Sequence, residues 1–218
     1  MKVYKLPLGS PTSKGKPFIN LLPLDEGETI TTVMKLPECE DDCKDMSIMF
    51  ATSQGNVRRN SLMDFVNVQS NGKIAMKLDE GDKLINVRIC HEDNDIMLAA
   101  RSGKCIRFPV TDVRVFVGRN STGVRGIKLA EGDEVISMSI LLHSDATSEE
   151  RDEYARIASA IKRISAERGD DSCVSPEDTG LLNVLTTEKY KEMAEREQFI
   201  LSVTSTGYGK RTSSYEYR

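Results

Sequence analysis

The hydrophobic positions of this chain follow two rhythms. Over most of its length, short apolar runs end in a glycine and are followed by polar residues. The runs Ile48-Met-Phe-Ala-Thr-Ser-Gln-Gly55, Ile96-Met-Leu-Ala-Ala-Arg-Ser-Gly103 and Ile200-Leu-Ser-Val-Thr-Ser-Thr-Gly207 superpose on one another. Four positions after each glycine stands a base (Arg59, Arg107, Arg211), and nine after it an acid (Asp64, Asp112, Glu216). A second element recurs behind the first. Asn71-Gly72 to Glu80-Gly81-Asp82-Lys-Leu-Ile85 matches Thr122-Gly123 to Glu131-Gly132-Asp133-Glu-Val-Ile136, with a looser copy over residues 14–30. Short strands separated by Gly turns predict an all-β body, because glycine supplies the positive φ that tight hairpin turns demand. The first two copies lie 48 residues apart, a spacing that suits a four-stranded propeller-type blade.

The second rhythm occupies residues 142–198. Thr147-Ser-Glu-Glu150 has the spacing of a capping box. Tyr154, Ile157, Ala158, Ile161 and Ile164 then share one face of a helix running to about Arg168. Ser175-Pro176-Glu177-Asp178 predicts the opening of a second helix, with proline at its first position. A third is expected from Thr187 to Gln198, with Tyr190, Met193 and Ala194 on one side. Such stripes pack against a parent domain or serve as a partner-binding arm, and both readings stay open.

Charge follows the same division. The chain of 218 residues has a formal net charge of -4, which taken whole argues against a nucleic-acid partner. Residues 142–198 hold 14 acidic and 8 basic side chains, so the remainder carries a small positive excess. No apolar run reaches the roughly 18 residues of a membrane span, and the N-terminus lacks the pattern of a secretory signal. Five cysteines, Cys39, Cys43, Cys90, Cys105 and Cys173, are an odd number in a chain long enough to build a core. They are expected to be reduced thiols of a cytoplasmic protein.

Candidate chemistry is sparse. His91 and His143, the two histidines, show no triad spacing. There is no phosphate-binding Gly-x-x-x-x-Gly-Lys-Ser/Thr loop. Cys39-Glu-Asp-Asp-Cys43 has metal-like spacing but no second ligand pair, so an acidic loop with two free thiols is the plainer reading.

Several motifs of the body resemble the C-terminal domain of the DNA gyrase A subunit. They are Met1-Lys-Val-Tyr-Lys-Leu-Pro, Gly15-Lys-Pro-Phe-Ile-Asn-Leu-Leu-Pro-Leu24, Asn71-Gly-Lys-Ile-Ala, Thr122-Gly-Val-Arg-Gly-Ile127 and Gly207-Tyr-Gly-Lys-Arg-Thr212. The resemblance covers residues 1–141 and 199–218, with the A subunit of topoisomerase IV as the paralogous alternative. It implies a β-pinwheel, a propeller-like disc of four-stranded blades that exchange strands. The expected layout is blades over residues 1–141, an acidic helical insertion over 142–198, and a further, truncated blade beginning at 199. About three and a half blades would be present. The family's Gly- and Arg-rich gyrase box has no counterpart in this sequence, and none of its tyrosines stands in the breakage-reunion context.

The function so implied is that of a non-catalytic, DNA-bending part of a type II topoisomerase. Its expected partners are double-stranded DNA, the rest of the gyrase A subunit, and the gyrase B subunit in an A2B2 assembly. No cofactor is expected in this chain, since ATP and magnesium would act elsewhere in that assembly to drive negative supercoiling. Repetition would bring Arg59, Arg107 and Arg211 to equivalent heights on the rim, with Arg58 and Lys210 one residue earlier. Lys14, Lys16, Lys73, Lys104, Arg119 and Arg125 would extend the stripe along a bent duplex backbone. The plainer alternative is a solvated strand face whose bases pair with Asp64, Asp112 and Glu216. A further alternative is a propeller-type module that contacts a protein partner through the helical insertion.

Overall fold

The computed structural model describes residues 2–39, 41–67, 72–118, 120–168 and 174–217. Its strands are β1 (Ser47–Thr52), β2 (Asn56–Ser61), β3 (Leu84–Cys90), β4 (Asn94–Ala100), β5 (Cys105–Pro109), β6 (Val124–Arg125), β7 (Val135–Leu142), β8 (Phe199–Val203) and β9 (Gly209–Ser213). Two α-helices, α1 (Ser148–Arg168) and α2 (Thr187–Glu195), lie between β7 and β8. The chain divides into two compact units. One comprises residues 1–104 and 108–140, the other residues 105–107 and 141–218.

The three aligned apolar runs form the same hairpin. In each, the turn glycine takes a positive φ, 85° at Gly55, 88° at Gly103 and 87° at Gly207. Its N–H donates to the carbonyl three residues back, at 3.0 Å in all three copies. The register also repeats, since Ser47 lies opposite Ser61 and Ala51 opposite Val57, as Phe199 lies opposite Ser213 and Val203 opposite Gly209. Each second strand then runs into a single 3-10 turn, at Leu62–Phe65, Val110–Asp112 and Ser214–Glu216. The residue before each turn is extended in the same way (Ser61, Pro109, Ser213), and both serine hydroxyls accept an N–H from the turn. The recurring acids Asp64, Asp112 and Glu216 sit within these turns.

In the first unit, β3-β1-β2-β6 form a four-stranded sheet. β6 belongs to the second sequence repeat yet pairs with β2 of the first, Val124 opposite Val57, so the repeats exchange a strand. Close approach requires glycine there. A Cβ on Gly123, whose φ is 90°, would lie 2.2 Å from the Val57 carbonyl oxygen. β4 is central to a sheet of order β5-β4-β7, and β8 and β9 form a two-stranded ribbon. The four-strand expectation is therefore met in full by the first sheet alone among the described residues. Residues 14–30 form no strand and are largely exposed. Their glycines Gly15 and Gly27 keep positive φ, but no described strand edge receives them as β2 receives β6.

Met49 and Ala51 of β1 pack with Ile96, Leu98, Val110 and Val135 of the next repeat in one core. Ile48 and Phe50, on the opposite face of β1, pack with Leu62, Met76 and Val87 in another. The alternation is that of a strand buried on both faces.

The helical stretch builds its own core. Thr147 and Glu150 form the capping box, with Thr147 N–H on the Glu150 carboxylate at 2.7 Å and Glu150 N–H on the Thr147 hydroxyl at 3.2 Å. Tyr154, Ile157, Tyr190 and Met193 are buried together with Tyr215 from the third repeat. The ring of Tyr154 stacks on Tyr190 at 4.9 Å between centroids and meets Tyr215 edge-on at 5.1 Å. The expected second helix is only a 3-10 turn, Glu177–Thr179. Gly180 in the left-handed region ends it after one turn.

Candidate nucleic-acid interface

Repetition brings the recurring arginines to equivalent places, but two of the three face inward. Arg59 is 4% exposed. Its Nε donates to the Ser47 hydroxyl at 2.9 Å, its Nη1 to the Val110 carbonyl at 3.5 Å and its Nη2 to Glu92 at 2.9 Å. Arg107 donates from Nη1 to the Ser214 carbonyl at 2.7 Å and from Nη2 to the Leu142 carbonyl at 3.1 Å. Val110 and Ser214 hold the same place in their repeats, seven residues after the turn glycine. Each arginine thus fastens its own hairpin to the first carbonyl of the following repeat's 3-10 turn. The acid paired with Arg59 is Glu92 rather than Asp64.

Arg58 is fully buried. Its Nε donates to Asn60 Oδ1 at 2.8 Å and its Nη1 to the carbonyl and hydroxyl of Ser121. The guanidinium carbon lies 5.0 Å from the centre of the Phe116 ring, and Arg114 sits over the same ring at 4.1 Å. Nη2 is buried without a hydrogen-bond partner among the described residues. Burial and the neighbouring Arg114 charge push the Arg58 pKa down from its ordinary value, against a smaller upward pull from Asp64. The expectation of Arg58, Arg59 and Arg107 as free rim cations is therefore corrected. An arginine on a strand between two repeats has backbone carbonyls and polar side chains within reach, and those take its donors.

The other candidate cations differ. Lys14, Lys16, Lys104, Arg125, Lys210 and Arg211 are exposed. Lys73 is half-buried, with its Nζ donating to the Asp64 carbonyl at 3.1 Å. Arg119 lies outside the described residues. Arg211 is over the Phe199 ring at 3.3 Å.

The aspartates of the recurring Glu-Gly-Asp steps hold turns. Asp82 Oδ1 accepts from the Ser53 hydroxyl at 2.8 Å and from the N–H of Gln54 at 2.9 Å. Asp133 accepts likewise from Ser102, from its hydroxyl at 2.6 Å and its N–H at 3.1 Å. Burial raises the Asp82 pKa, but hydrogen bonds from Thr52, Gln54, Ser53 and Lys83 outweigh it and the net direction is down. The Ser102 hydroxyl is the main cause of the fall at Asp133.

One buried acid has no counterpart among the residues expected from sequence. Glu153 on α1 is 1% exposed, and its carboxylate accepts the N–H groups of Asn183, Val184 and Leu185 at 2.7–3.0 Å. Burial drives its pKa up, but these backbone donors outweigh burial and the net direction is down. A lone glutamate within a helical stripe gives no sequence signal for this role.

Among the described residues no group of three His, Cys, Asp or Glu is placed to hold a metal ion. Nor, among them, is any helix long and apolar enough to cross a membrane. Cys39, Cys43, Cys90 and Cys105 are free thiols, and burial pushes the Cys90 thiol up to about 11.

Comparison with known proteins accounts for the repeats. The family described as DNA gyrase C-terminal domain, beta-propeller, matches residues 1–37, 47–91, 94–141 and 198–218. The DNA gyrase A subunit of Rickettsia bellii is 51% identical over 218 residues, covering 100% of this chain and 24% of the relative. That of Granulibacter bethesdensis is 50% identical, again over 100% of this chain and 24% of its own length. The Escherichia coli A subunit is 41% identical over 140 residues, 64% of this chain and 16% of that protein. The chain thus spans about a quarter of the first two relatives. Among solved structures, a DNA gyrase A C-terminal domain aligns with a TM-score of 0.50 and 26% identity, over 59% of this chain and 41% of that one. A DNA topoisomerase IV C-terminal domain aligns at 0.58, with 24% identity, over 66% and 43%. That likeness concerns the fold alone.

Proposed function

Because the chain belongs to the DNA gyrase C-terminal domain family, we propose that it binds duplex DNA through backbone phosphates and guides its path for a type II topoisomerase. The observation that carries this reading is the family match, which runs through every repeat and passes over most of residues 142–198. Charge supports it, since the matched body holds the positive excess and the unmatched stretch the acidity. The phosphate contacts are assigned to the exposed cations Lys14, Lys16, Lys104, Arg125 and Lys210. Flexible, solvated ammonium and guanidinium groups suit phosphate contact and carry little sequence information. Preference among DNA sequences would come from their ease of bending. In the whole enzyme the expected setting is the rest of the A subunit together with the B subunit, where ATP-driven supercoiling resides.

A salt titration of duplex binding tests this. Affinity is expected to fall steeply with salt, and changing Lys104, Arg125 and Lys210 together to Gln should reduce the log–log slope by about 2–3, at roughly 0.9 for each phosphate no longer neutralised. A slope near zero in the unaltered protein would overturn the reading.

A further inference from the structure

The acidic stretch 142–198 contains a surface of the opposite sign. From Tyr154 to Ala166, α1 carries Arg156, Lys162 and Arg163 and no carboxylate. Its acids gather near the start, where Glu149 and Glu150 lie in the first turn and Glu153 is buried. Arg156, Ser159 and Arg163 stand three and four residues apart, so they share the face turned away from Tyr154 and Ile157. All three are exposed. With Ala155 and Leu181 they line a groove of about 480 Å3, a size typical of ligand pockets.

The far wall of this groove is held in place. Leu181, 40% exposed, follows the left-handed Gly180, and its N–H donates to the Thr179 hydroxyl at 3.2 Å. The next residues, Asn183 to Leu185, are tied to α1 by Glu153. Glu153, the carboxylate whose charge Arg156 favours, is thereby occupied by backbone donors. Lys189 and Arg196 pair with Glu192, but neither Arg156 nor Arg163 enters an ion pair among the described residues.

We propose that this groove takes an extended acidic peptide, one apolar side chain flanked two positions to either side by carboxylates. Alternate side chains of an extended segment point the same way, and residues four apart are separated by about 13 Å. Arg156 and Arg163 are two turns apart, about 10.5 Å along the helix axis, and their long flexible stems close the difference. The outer carboxylates meet the two guanidiniums, and the Ser159 hydroxyl, midway, meets the peptide backbone. The central side chain settles against Ala155 and Leu181. A duplex backbone shares the charge but has no apolar side chain to fill this floor. Charge complementarity and the apolar wall together select the peptide. The site is independent of the phosphate contacts assigned to the body.

The test titrates the whole chain against a fluorescein-labelled peptide, Ser-Glu-Ser-Leu-Ser-Glu-Ser, and reads fluorescence anisotropy. Saturable binding is expected with a Kd below about 1 mM. Arg156→Glu combined with Arg163→Glu should weaken it about tenfold or more, because like charges then face one another. Both positions are exposed, so helical circular dichroism should be unchanged. Replacing the leucine of the peptide by serine leaves the protein untouched and should weaken binding about fivefold or more, through lost apolar burial.

No saturation by about 1 mM, or equal binding by the double variant, would overturn the proposal. So would equal binding of the serine peptide, because the apolar floor would then select nothing. If the double change weakened binding of a short duplex but not of the peptide, the groove would be a nucleic-acid contact and the peptide assignment would fall.

Discussion

The repeat body and the helical stretch solve the same problem by different means. Both must satisfy polar groups where chain segments meet. The body does it by reuse. Asp82 and Asp133 hold the turns of successive hairpins, and Arg59 and Arg107 reach successive carbonyls. The helical stretch relies on one carboxylate, Glu153, which gathers three backbone N–H groups of a connecting segment. Reuse spreads the load over many joints, whereas a single device concentrates it.

The largest expected effect attacks the strand exchange of the body. Gly123→Ala places a Cβ 2.2 Å from the Val57 carbonyl oxygen at a φ of 90°. Strain and displacement together should cost about 3–5 kcal/mol, measured by urea unfolding. A loss below about 1 kcal/mol would mean that β6 is not anchored as described.

Next comes the helical stretch. Glu153→Ala leaves the N–H groups of Asn183, Val184 and the buried Leu185 without their acceptor and should cost on the order of 2–3 kcal/mol. The variant should melt residues 142–198 ahead of the body, visible as early loss of helical circular dichroism. The charge also sets a pH dependence. A carboxylate held below its unfolded pKa contributes stability above that value and loses it as pH falls through the folded one. Helical signal should therefore decline below about pH 4, and Glu153→Gln should flatten that decline. An unchanged acid profile in Glu153→Gln would remove Glu153 from the account.

The smallest effect compares glycines without close neighbours. Gly132 in the body and Gly180 in the helical stretch have positive φ and open space where a Cβ would lie. Alanine at either should cost only about 1–2 kcal/mol, and a similar loss at both would show that the backbone conformation alone is responsible. A loss at Gly132 as large as at Gly123 would show that its surroundings are equally crowded.

How much of this was legible in the sequence depended on repetition. The glycines at positions 55, 103 and 207, and those of the second element at 81 and 132, stand out because their spacing recurs, and all have positive φ. α1 was legible for a related reason, since a periodic face and a capping box agree. Arg59 and Arg107 were legible as a recurrence but not as a role. A base four residues past a turn reads the same whether it meets a phosphate or a carbonyl, and only packing between repeats decides. Arg58 makes the point more sharply, since nothing in Val57-Arg-Arg-Asn60 reveals a guanidinium buried against Phe116. The helix expected at Pro176 stops after one turn because Gly180, in the left-handed region, follows its starting signal so closely. Glu153 carried no periodic signal at all.

Beside its other partners, each fastening arginine reaches a main-chain oxygen of the following repeat. Val110 and Ser214 share no side-chain chemistry, yet each accepts from the arginine at the equivalent position, Arg59 and Arg107. A joint addressed to the backbone is indifferent to what the next module is made of, so long as its turn keeps its shape. Modules joined this way can drift apart in composition, gain a helical excursion such as residues 142–198, and still couple.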